Sequence, residues 1–78
     1  MTTARRRRIR QSLLAADSAC TYCRKELTPS TATVDHVLPE DQGGRTVVGN
    51  LVLCCRPCNQ AKGRRTPEQW AWDILTAR

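Results

Sequence analysis

Between two cysteine pairs, Cys20-x-x-Cys23 and Cys55-x-x-Cys58, lie an aspartate-histidine dyad, Asp35-His36, and Asn50, with Asn59 directly behind the second pair. Histidine is the side chain whose ordinary ionisation falls nearest neutrality, so His36, the only one in the chain, is the candidate to take a proton from water. Asp35 and Asn59 offer carboxylate and amide oxygens, hard donors that suit Mg2+ or Mn2+ better than zinc. A base for water, a cation at phosphorus and help for the leaving oxygen are what phosphodiester hydrolysis requires. The cysteines suit a different metal, because two CxxC turns present four thiolates for a closed, tetrahedral, structural zinc. The gap from Cys23 to Cys55 exceeds ordinary zinc-ribbon spacing and leaves room for an inserted hairpin. Cys54 would need a three-residue gap to pair with Cys58, so it is expected to be a small buried hydrophobe, with Cys55 as the ligand.

The elements that must hold these residues can be read in order. Residues 1–18 form a basic arm with a helix expected from about Arg6 to Ala16; Arg5, Arg6, Arg7 and Arg8 point all round its wheel, as in either a solvated, frayed end or a DNA-gripping arm. Residues 19–65 form the core. Its first strand is expected within Thr31–Leu38 and ends before Pro39. Adjacent strand residues face opposite ways, so Asp35 and His36 need a bend or bulge to converge. An irregular loop through Gly43-Gly44, a strand at Leu51–Cys54 and a helix from Pro57 to about Lys62 follow. Asn59 and Lys62, three apart, share a helix face, which makes Lys62 a candidate contact to a phosphate backbone, together with Arg64 and Arg65. Residues 66–78 begin with a capping box, Thr66 and Gln69, and Pro67 at the first helical position. That helix is expected to reach Ala77, covering the core with Trp70, Ala71, Ile74 and Leu75 and leaving Trp72 partly exposed.

With 78 residues and no phenylalanine, the chain can build one domain with a thin core that needs a staple. Five cysteines, an odd number, and no signal-peptide-like apolar stretch argue for a reduced, cytoplasmic setting and metal binding over disulfides. No segment could span a membrane. The net charge of +6 points to a polyanionic partner and falls only to about +4 if four thiolates hold one zinc.

Val34-Asp35-His36-Val37-x-Pro39, Gly43-Gly44, Asn50-Leu51 and Cys55-x-x-Cys58-Asn59-x-x-Lys62-Gly63, in that order, resemble the HNH endonuclease family in its HNN variant. The resemblance implies a small α+β fold: a ββα-metal (His-Me finger) core stapled by a four-cysteine zinc and flanked by N- and C-terminal helices. It implies a metal-dependent DNA endonuclease in which His36 is the general base, Asp35 and Asn59 hold the catalytic ion and Asn50 braces the loop and the histidine backbone. It further implies 5′-phosphate and 3′-hydroxyl ends and one nicked strand per site. With no added recognition domain in the sequence, target choice is expected to be loose or to come from another protein. Similar domains occur in bacteriophage, where they assist genome packaging, and in restriction and mobile-element systems, so a phage packaging protein or another nucleic-acid-processing protein is the expected partner. The reading from a different class is a non-catalytic zinc-ribbon module that binds nucleic acid through its arginines, with Asp35 and His36 as structural polar groups.

Overall fold

In the computed structural model, which describes residues 2–76, the elements run α1 (Thr3–Ala16), β1 (Ala32–His36), β2 (Leu51–Cys55), α2 (Arg56–Lys62) and α3 (Pro67–Thr76). The helix of the basic arm starts earlier than expected because Thr2 caps it, its hydroxyl accepting from the Arg5 N–H at 3.2 Å. It packs through half-buried Leu13 and Leu14 against the core, so the arm is part of the fold and not a frayed end.

The first knuckle follows. The Cys20 N–H donates to the Lys25 carbonyl and the Arg24 N–H to the Cys20 carbonyl, with Arg24 in the left-handed region at φ 65°. The Thr21 N–H then ties this turn to the Leu53 carbonyl of β2. Strands β1 and β2 pair antiparallel, with Asp35 opposite Val52 and His36 opposite Leu51 in an unbroken register. The expected bulge is therefore absent, and β1 stops at His36, shorter than the Thr and Val run suggested. The 14 residues between the strands, 37–50, contain two single 3-10 turns. Gly43 sits at φ 92°, and a Cβ on Gly44 would come within 1.7 Å of the Leu38 carbonyl oxygen, so this crossing of the loop over itself admits only glycine.

Cys55 ends β2 and caps α2, its sulfur accepting from the Cys58 N–H, and α2 thus starts at Arg56, one residue before Pro57. The capping box of α3 forms as expected: the Thr66 N–H donates to Gln69 Oε1 and the Gln69 N–H to Thr66 Oγ1. Trp70 meets Tyr22 edge-on, with ring centroids 5.5 Å apart. The rest of the expected stripe differs: Ile74 is half-buried, but Ala71 and Leu75 are exposed, because nothing among the described residues lies opposite them. Trp72 is exposed, and the expected end of the helix at Ala77 lies outside the described residues.

The main buried cluster is Cys20, Leu27, Ala32, Leu53, Cys54 and Cys55. Half of it is cysteine, so the staple sits inside the core and is continuous with it. Among the described residues no helix is long and apolar enough to cross a membrane.

Candidate active site and metal centre

The sulfurs of Cys20, Cys23, Cys55 and Cys58 all lie within 4.8 Å of one another. Cys23 and Cys55 are 3.8 Å apart, the edge length of a tetrahedron with about 2.3 Å metal–sulfur bonds. The donor set fits a metal such as zinc. Burial works against a Cys20 thiolate, but the N–H groups of Cys23, Cys55 and Tyr22 outweigh it and bring the thiol down to about 6. Burial and the sulfurs of Cys55 and Cys23 push Cys58 the other way when no cation is present. Cys54 lies apart from the cage, fully buried, with its thiol raised to about 11 chiefly by burial and its sulfur 3.3 Å from Thr33 Oγ1.

The inner residues are placed by the register of α2 on β1. Thr33 and Asp35 share one strand face, and Asn59 and Lys62 share one helix face. The Asn59 Nδ2 donates to Thr33 Oγ1 at 3.2 Å, and Lys62 Nζ lies 3.1 Å from Asp35 Oδ2. Lys62 also donates to the His36 carbonyl at 2.9 Å and is only 1% exposed. This corrects the expectation of a DNA contact, because the lysine faces inward and neutralises a buried carboxylate. Tyr22 donates to the same Asp35 Oδ2 at 2.7 Å; its own hydroxyl is held protonated by burial first and by the Asp35 bond and charge next. Removing one member of a buried ion pair strands the other, so Lys62→Met is expected to cost about 3–5 kcal/mol, read as a lower urea midpoint.

His36 faces away from Lys62 into the loop, where its Nε2 is 3.0 Å from Thr46 Oγ1 and 3.7 Å from Glu40 Oε1. In the tautomer whose Nε2–H donates to Thr46 Oγ1, Nδ1 is the nitrogen with a free lone pair. Asn50 closes the loop: its Oδ1 accepts from the Leu38 N–H at 2.8 Å, its Nδ2 donates to the carbonyls of Leu38 and Arg45, and its carbonyl accepts from Val37. Those bonds fix the backbone directly after His36. Asn50→Ala should therefore loosen residues 37–50 selectively, seen as faster amide hydrogen exchange at Val37 and Leu38 while β2 stays protected.

Asp35 and His36 border one cavity of about 330 Å³ with Glu40, Asp41, Gly63 and Arg64, whereas Asn59 lines a separate groove beside Thr33. The expected partners are thus brought to one strand and one helix but not to one cavity. The end-of-helix arginines are engaged within the fold: Arg64 pairs with Asp41 and Arg65 with Asp73, and Arg65 also donates to the carbonyls of Ala61 and Lys62. Three supporting residues escaped the sequence reading: Tyr22, Thr33 and Thr46. Thr33 had a signal, since it lies two residues before Asp35 on the same face; Thr46, in an irregular loop, had none.

Residues 20–73 match the family model described as HNH endonuclease. The chain is 37% identical over 62 residues to the CRISPR-associated endonuclease Cas9 of Corynebacterium diphtheriae, covering 78% of this chain and 6% of that protein. It is 35% identical over 54 residues to the Cas9 of Actinomyces naeslundii, covering 68% of this chain and 5% of that one. The crystal structure of the Type II-C Cas9 enzyme from Actinomyces naeslundii superposes with a TM-score of 0.79 at 31% identity, over 87% of this chain and 7% of that chain. The chain thus spans only a small part of the length of these relatives. They are bacterial proteins, and a phage packaging partner finds no support in them. The matched family model runs from the first cysteine knuckle through the paired strands and α2 into α3, and the chain belongs to the HNH endonuclease family.

Proposed function

We propose that the protein is a metal-dependent DNA endonuclease that hydrolyses one strand per active site, leaving 5′-phosphate and 3′-hydroxyl ends. The observation that carries this reading is His36, its Nε2 held 3.0 Å from Thr46 Oγ1, beside the buried Asp35 at the end of β1. In this reading His36 Nδ1 takes the proton of the attacking water. Asp35 and Asn59, which line separate openings here, would both turn to one divalent ion such as Mg2+ or Mn2+ on its binding, and that ion would supply charge stabilisation at the phosphorus and the leaving oxygen. Their donor atoms suit such an ion. The Asn59 amide spends its N–H on Thr33, leaving its oxygen for a cation, and Asp35 has one carboxylate oxygen beyond the one engaged by Tyr22 and Lys62. Asn50 keeps the turn after His36 in place, and Arg5, Arg6, Arg7 and Arg8, which form no ion pair among the described residues, supply positive charge toward DNA.

The CRISPR-associated relatives favour a nucleic-acid-processing assembly as the partner. The test is supercoiled plasmid incubated with zinc-loaded protein, with and without Mg2+ or Mn2+. Nicked circles that need the added ion are expected; DNA binding without cleavage under any ion would favour the non-catalytic module.

A further inference from the structure

The arginines of this protein fall into two electrostatic classes. Among the described residues Arg24, Arg64 and Arg65 each pair with a carboxylate, whereas Arg5, Arg6, Arg7, Arg8, Arg10, Arg45 and Arg56 form no ion pair. Arg6, Arg10 and Arg56 line one groove of about 210 Å³ together with Ala32, Thr33 and Val34 of β1 and with Asn59, and no acidic side chain borders it. Arg6 and Arg10 are one helical turn apart on α1, and Arg56 opens α2, so the groove gathers charge from two elements onto one strand. Arg10 adds a second, independent observation. Its Nε is shielded from solvent and has no hydrogen-bond partner among the described residues, a donor left uncompensated at a cost in free energy.

We propose that this groove is a phosphate track for the DNA strand: Arg6, Arg10 and Arg56 grip backbone phosphates next to the one being cut and lead the strand to Asn59. The guanidinium forks of the three arginines match phosphate oxygens. Arg10 and Arg56 thereby join the binding surface, while Arg5 and Arg8 line a different, largely apolar groove with Ile9, Leu13, Val48 and Leu51. The division follows from the helix: residues four apart share a side of α1, and only the side of Arg6 and Arg10 faces β1 and α2.

The proposal rests on the nuclease reading for its substrate, but it is tested by binding alone. Fluorescence anisotropy with a short DNA duplex, zinc-loaded protein and no added Mg2+ or Mn2+ is measured across a salt series. The exposed pair Arg6→Gln/Arg56→Gln is compared with Arg24→Gln/Lys25→Gln, which removes the same charge elsewhere. The groove variant is expected to bind roughly ten-fold or more weakly and to flatten the slope of log affinity against log salt by about 2, near 0.9 per lost phosphate contact. The control should keep most of both. Arg10→Gln, checked for an unchanged melting profile, should weaken binding in the same sense. Equal losses in the two double variants would overturn the track. If the wild type cuts DNA and the groove variant binds as tightly as the control, the track fails and the nuclease stands. If it never cuts but binding depends on the groove, the nuclease reading fails and the track stands.

Discussion

Stripping the cage metal is expected to unfold the protein, with loss of far-UV helical signal and of the Tyr22–Trp70 near-UV signature on chelation. The expectation follows from where the cysteines sit. Cys20, Cys54 and Cys55 are half of the buried cluster, and Cys55 also ends β2 and caps α2. Four sulfurs within 4.8 Å cannot all ionise without a cation between them, so either the thiolates or the packing must give way. Structural zinc contributes about 10–16 kcal/mol of apparent binding free energy in small domains, as much as the entire stability of most domains. Cys55→Ala should behave like the chelated protein and retain no zinc after dialysis. Cys54→Ala should keep its zinc and lose only packing, about 1–3 kcal/mol for a small buried side chain. Equal zinc content in the two variants, measured by mass spectrometry, would break the assignment, as would a chelated protein that stays folded.

His36→Ala is expected to lower single-turnover cleavage of a labelled duplex by roughly 100- to 10,000-fold, the range a positioned general base contributes. Stability should fall by much less than the rate. The imidazole is only 12% exposed and bonds chiefly to Thr46, so its removal costs about 2–4 kcal/mol in packing and hydrogen bonding. DNA affinity should be unchanged, since the arginines are untouched. Thr46→Val keeps the base and removes only its tether, so its loss should be smaller, and the gap between the two variants reports how much orientation matters. Full activity in His36→Ala would remove the base from the mechanism.

What the sequence disclosed and what it hid divide along a physical line. The cysteine knuckles, the capping box of α3 and the strand–loop–strand–helix order are local signals, set by spacing and turn chemistry, and each appears where expected. Lys62 shows the limit. Its three-residue spacing from Asn59 says that the two share a helix face, but only packing of α2 on β1 decides that this face looks inward, where Thr33 takes Asn59 and Asp35 takes Lys62. The same holds for α1: periodicity scattered Arg5 to Arg8 round the helix, and tertiary placement beside Arg56 separates Arg6 from Arg5 and Arg8. Leu75 belonged to an apolar stripe of which Trp70 meets Tyr22 and Ile74 is half-buried while Leu75 itself stays exposed, so pattern overstated burial. His36 and Asp35 needed no bulge to border one cavity, because β1 ends at His36 and the chain turns away there.

The central claim is that one metal folds this protein and a different ion serves its chemistry. Zinc-loaded protein titrated with Mn2+, following the free Mn2+ signal by electron paramagnetic resonance beside Asn59→Ala, tests it most directly. The account predicts one Mn2+ bound with zinc retained, and an affinity weaker in Asn59→Ala by roughly ten-fold or more, since even residues behind the ligands of a metal command that much. Unchanged Mn2+ affinity in the variant, or Mn2+ uptake only as zinc leaves, would contradict it.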